Sequence, residues 1–345
     1  FGAGSQTFNS VFGTTLNPYD LTKTCGGSSG GGAVALATGM VALADGTDLG
    51  GSLRNPANFC NLVGFRPSVG RVPTWPEQLG WYTMSVAGPM ARSVEDLALM
   101  MSVLSGPDDR SPIALDTPGT IFTSPLQRNF KGCRVAYSED LGGLPLEPEV
   151  RTVMRAAREV FERLGCEVVD AEIDLSEAGE IFMLWRAWRT ELRIAPLLAS
   201  HKDQLKDTVI WNAEQGLDLT GPQLARAEAK RTEIYHRMRE FMNTYEFFIL
   251  PVNQVVPFSV DLDYPREING VKMNTYIDWQ KTAYFISAMG NPAISVPAGF
   301  TDSGLPVGVQ IVGGHRQDLA VLQMAYAFEQ ATQFGLKRPS ICTVA

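Results

Sequence analysis

The chain has 345 residues, 45% hydrophobic and 19% charged, with a formal net charge of −8. That charge argues against a general electrostatic role on nucleic acid or anionic membrane, both of which need a concentrated basic surface. No segment has the apolar length of a membrane span or the pattern of a secretory signal. The five cysteines are an odd number without a CxxC pair and the three histidines are isolated, so neither a disulfide framework, nor a metal centre, nor a cofactor is expected. A cytoplasmic setting is the default.

The first residues, FGAGSQTF, lack an initiator Met and run straight into motif-like sequence, as expected of part of a longer polypeptide. Next, GGSSGGG leads into AVALATGMVALA, whose small apolar residues predict a short helix packed tightly on a sheet, followed by a buried strand entering ADGTD. Ser93, with Asp96 three residues on, opens an amphipathic helix that Gly106 can end. Residues 150–165 repeat that logic, and CEVVDAEID then alternates as a strand. From Glu177 to Tyr245 the chain reads as a helical excursion carrying Trp185, Trp188 and Trp211. FFILPVNQVVPF, NPAISVPAGF and LPVGVQIVGG resume the strands, and a helix follows from Gln317 to Thr332. Helix alternating with strand predicts one large α/β domain over 1–345, with 177–245 a variable helical region.

Chemistry is concentrated in two serines, each on its own glycine bed. Serine attacks only when a base takes its proton and donors await the oxyanion. In GTDLGGSLR, the glycines before Ser52 let successive N–H groups turn toward a reacting carbonyl. The competing reading is a tight strand-to-helix turn with a solvent-facing serine. GGSSG also fits a GxSxG elbow, but the polar, proline-bearing NPYDLTKTC before it does not make the required strand, and no motif nominates His236 or His315 as base. A phosphate loop is disfavoured because Gly-Lys-Ser/Thr and GxGxxG are both absent. The remaining base is a lysine of lowered pKa acting through a second hydroxyl.

GGSSGGG followed by ALADGTDLGGSLRNPANFCNLVGFRPSVGRVP, GPMARSVEDLALMM and NPAISVPAGFTDSGLPVGVQIVG resembles the amidase signature family of serine hydrolases over nearly the whole chain. The resemblance implies a large mixed central sheet covered by helices. It also implies Ser52 as nucleophile, Ser28 as intermediary serine after a cis peptide bond, and backbone N–H groups of Leu49, Gly50 and Gly51, with that of Ser52, as the oxyanion hole. Asp48 and Arg54 would hold the nucleophile loop, with Ser29, Thr47 and Asn55 in the same network. An ordinary ion pair is the competing reading of Asp48 and Arg54.

The family's lysine lies in a Lys-Asp motif several dozen residues upstream of the glycine–serine loop. A missing N-terminal segment is therefore expected to carry it; Lys23, in a polar approach segment, is expected to be a solvated charge. The implied reaction is hydrolysis of a small-molecule amide through an acyl-enzyme, with Trp75, Trp81, Tyr82, Met84, Trp185 and Trp188 as candidate cavity walls. A homodimer is one expectation for its assembly. The alternatives are a glutaminase-like subunit of a tRNA-dependent amidotransferase, which typically carries Thr where this chain has Leu49, and a catalytically incomplete amidase-like binding protein.

Overall fold

Phe247 and Ile249 belong to one hydrophobic cluster and their neighbours Phe248 and Leu250 to another, all four fully buried. A strand apolar on both faces needs a helical layer on each side, and the computed structural model, which describes residues 3–342, has that arrangement. Its main sheet comprises β1 (Ala44–Asp48), β2 (Val63–Arg66), β3 (Val86–Ala91), β4 (Arg134–Tyr137), β5 (Glu167–Asp170), β6 (Phe247–Pro251), β7 (Ala293–Phe300) and β8 (Pro306–Gly313). The order is β1-β3-β2-β7-β8-β6-β4-β5. Pairing is antiparallel from β1 to β6 and parallel for β6 with β4 and β4 with β5, so the sheet is mixed.

The helices are α1 (Gly30–Ala37), α2 (Arg54–Phe59), α3 (Val94–Leu104), α4 (Pro148–Arg163), α5 (Ala178–His201), α6 (Asp207–Leu217), α7 (Gly221–Thr244), α8 (Lys281–Met289) and α9 (Asp318–Thr332). α3, α4 and α9 cover one sheet face around Phe161, Phe247 and Phe328; α5, α7 and α8 cover the other around Phe182, Phe248 and Tyr284. In α4 the buried residues Val150, Val153, Met154, Ala157, Val160 and Phe161 recur at the three- and four-residue spacing that gives a helix one apolar stripe. At the start of α3 the Ser93 hydroxyl accepts the Asp96 N–H at 3.1 Å, satisfying one of the donors a helix N-terminus leaves open.

The strand expected at ADGTD forms as β1, but at the edge of the described sheet with Asp45 and Thr47 exposed. Ala-Asp-Gly-Thr-Asp offers little apolar surface to bury, and its one partner in the described sheet is β3, some forty positions downstream. β1 nevertheless delivers its last residue, Asp48, into the interior.

Candidate active site

Residues 49–53 turn the chain from the end of β1 into α2, and a buried carboxylate organises that turn. Asp48 Oδ1 accepts the Gly51 N–H at 2.9 Å, and Oδ2 accepts the Leu53 N–H at 3.2 Å. Arg54 donates to both oxygens, from Nη2 at 2.9 Å and Nε at 3.0 Å, the planar two-point match of guanidinium and carboxylate. Arg66 adds Nη1 at 3.3 Å to Oδ1 and at 2.5 Å to the Asp48 carbonyl. All three side chains are wholly buried. Burial alone would raise the Asp48 pKa, but the Arg54 charge and hydrogen bonds, Arg66 and the Gly51 N–H outweigh it and hold the carboxyl well below the usual carboxylate range. Burial pulls Arg66 down to about 10, with Asp48 opposing.

Arg54 ties this turn to the rest of the molecule, donating to the Ala283 carbonyl, Gln310 Oε1 and Ser287 Oγ at 2.9, 2.5 and 2.8 Å. Gly51 has φ +116°, and a Cβ there would sit 2.5 Å from Asn55 Oδ1 and 2.8 Å from Ala283 Cβ. Only glycine tolerates both the left-handed backbone and that approach. Asn55 bonds in turn to Gln280 and Asn253.

The second glycine bed packs against the first. The Gly27–Ser28 peptide is cis, Thr7 Oγ1 donates to the Gly26 carbonyl at 3.0 Å and accepts the Gly30 N–H at 3.2 Å, and the Ser29 N–H donates to the Ser52 carbonyl at 3.3 Å. Gly46 on β1 makes room for this loop, since a Cβ there would lie 2.5 Å from Ser29 Oγ. Ser28, Ser29, Thr47 and Ser52 thereby share one groove of about 560 Å³, together with Glu77, Arg189 and Arg193.

Ser52, Leu49 and Gly50 also line a second cavity, of about 390 Å³, on the α5 side. Its wall is the α5 stripe Phe182, Arg186, Arg189, Arg193 and Leu197, faced by Val209, Asn212, Tyr276 and Ile277. Ser52 thus stands where a polar groove meets a deeper chamber.

The structure brings Ser28, Ser29, Thr47, Asp48, Leu49, Gly50, Gly51, Ser52, Arg54 and Asn55 into one neighbourhood, with two differences from expectation. The Gly51 N–H is engaged by Asp48, so the N–H groups of Leu49, Gly50 and Ser52 remain as oxyanion candidates. None of Trp75, Trp81, Trp185 and Trp188 lines either cavity. Trp75 and Trp81 are 60% and 75% exposed. Trp185 and Trp188 pack on each other and on Tyr82, because they lie off the helical phase of the cavity-facing stripe. Tyr82 and Met84 are core residues outside both cavities. Lys23 bridges Ser259 through its backbone and lines neither cavity. The arginines of α5 were missed in the sequence, although their spacing with Phe182 and Leu197 is that of one helix face.

Comparison with known proteins agrees with this arrangement. The Amidase family profile matches residues 1–322. An acylamidase of Rhodococcus erythropolis is 34% identical over 97% of this chain and 70% of its own length. A glutamyl-tRNA(Gln) amidotransferase subunit from Synechococcus sp. (strain RCC307) is 30% identical over 100% of this chain and 75% of its own length. The crystal structure of a bacterial aryl acylamidase belonging to the amidase signature enzymes superposes with a TM-score of 0.89 at 30% identity, covering 97% of this chain and 72% of that one. The chain therefore belongs to the amidase signature family.

Proposed function

We propose that this chain carries the acyl-transfer centre of an amidase of the acylamidase kind, hydrolysing a carboxylic amide to its acid and ammonia or an amine. The observation that carries the reading is Ser52, set on a turn fixed by the Asp48–Arg54–Arg66 cluster and facing the same groove as Ser28. The Ser52 hydroxyl oxygen bonds to the carbonyl carbon while its proton passes to Ser28, which gives its own to a neutral lysine. No lysine lines either cavity among the described residues, and the reading places that base N-terminal to Phe1 in the parent polypeptide. The N–H groups of Leu49, Gly50 and Ser52 receive the oxyanion. The C–N bond then breaks, Ser28 returns a proton to the departing nitrogen, and water releases the acid from Ser52.

A fluorophosphonate probe followed by peptide mapping tests this, with the upstream segment supplied. Labelling at Ser52 and turnover of simple amides are expected; an unlabelled Ser52 overturns the proposal. The reading as one component of an amidotransferase is supported by relatives such as the Synechococcus protein. Ammonia release from simple amides by the protein without other components speaks against it.

A further inference from the structure

Arg186 is 7% exposed and lines the α5 chamber, yet no carboxylate among the described residues pairs with it. Its neighbours are neutral. Nη2 bonds the Tyr276 hydroxyl, and the Asn212 carboxamide, with its oxygen turned to the guanidinium, accepts from Nη2 at 2.7 Å and Nε at 3.3 Å. The rings of Tyr276 and Phe182 lie 4.9 and 5.8 Å from the guanidinium carbon. Nη1 is buried with no partner among the described residues. A buried charge is costly unless it is paired, and Nη1 is a charged donor left for a carboxylate oxygen.

The surroundings add positive charge. Arg189 lies one turn on and pairs with Glu77 at 3.2 Å; Arg193, at the mouth, makes no ion pair among the described residues. Three cations against one anion leave the chamber with a positive surplus, while Phe182, Ile194, Val209 and Ile277 supply apolar walls. Ser52, Leu49 and Gly50 line it as well.

We propose that this chamber is a carboxylate-binding subsite: the substrate is an amide whose acyl chain ends in a carboxylate, held by Arg186 and Arg193 while its methylenes run between the apolar walls toward Ser52. This rests on the acyl-enzyme reading above for the direction of the chain, but anion binding can be measured without turnover.

The test compares glutaramate with 5-methylhexanamide, in which an isopropyl group replaces the carboxylate, by calorimetric binding to the protein and by hydrolysis with the upstream segment supplied. Glutaramate is expected to bind at least about tenfold tighter, with affinity falling as salt rises. Arg186→Met should abolish that preference, and Arg193→Gln, at an exposed position, should reduce it about threefold; the latter carries the test where Arg186→Met alters the fold. Equal or tighter binding of 5-methylhexanamide, or an unchanged preference in both variants, overturns the subsite. Arg186-dependent glutaramate binding with an unreactive Ser52 upholds the subsite and refutes the acyl-enzyme reading. Turnover that favours the neutral amide does the reverse.

Discussion

Asp48, Arg54 and Arg66 bury their charges against one another, whereas Arg186 buries its charge against a hydroxyl, a carboxamide and two aromatic faces. The first group fixes backbone: its donors and acceptors set the path of residues 48–54 and anchor it to β8 and α8. The second group ties α5 to Asn212 and Tyr276 but leaves Arg186 Nη1 without a partner among the described residues. Both are guanidinium sites close to Ser52; in the first the carboxylate comes from the same chain, and in the second the proposed substrate would supply it.

Four changes break or sharpen this contrast. Ser52→Ala, between the two regions, should cost about 10⁴-fold or more in amide hydrolysis and remove fluorophosphonate labelling, leaving the melting temperature nearly unchanged. Asp48→Asn should destabilise by about 3–5 kcal/mol in denaturant titration, because two arginines lose their charged partner in a buried site. The same variant tests pH dependence. The folded pKa of Asp48 lies below its unfolded value, so its contribution is present above about pH 4 and is lost as the pH falls through the folded pKa. The acid limb of the native stability profile should therefore be shallower in Asp48→Asn.

Arg186→Met should behave in the opposite way. Burial already pulls this guanidinium down to about 10, and a flexible apolar side chain in its place should leave thermal stability equal or raised, as found when buried charges give way to hydrophobic groups. A loss like that of Asp48→Asn would mean that Arg186 is a structural residue. The smallest effect belongs to Lys23→Ala, expected to change stability by less than about 0.5 kcal/mol and to leave hydrolysis intact. Loss of hydrolysis with retained folding would make Lys23 a candidate base.

Local signals account for what could be read in the sequence. The Ser93 cap, the apolar stripe of α4 and the paired glycine–serine loops are each written within a few residues, and the helix and strand periods pointed to an α/β domain, whose mixed sheet only the family resemblance implied. Partners distant in the chain were not legible. Ala283, Ser287 and Gln310 meet Arg54 from 229 to 256 positions away, and nothing around GGSLR specifies them. The edge position of β1 depends on strand order, and no local pattern encodes strand order. The tryptophans misled for a different reason: their place after the nucleophile or in the variable helical region suggested cavity walls, but the phase of α5 turns Trp185 and Trp188 toward Tyr82 and presents Arg186, Arg189 and Arg193 to the chamber.

That division of α5 into two faces makes the helix editable. Arg186 and Arg193 line the chamber apart from the Trp185–Trp188–Tyr82 contacts, whereas Arg189 joins the two faces, its guanidinium lying over the Tyr82 ring at 5.2 Å. If the chamber selects the acyl group as proposed, selection can retune it at positions 186 and 193 without first rebuilding the aromatic support beneath the helix.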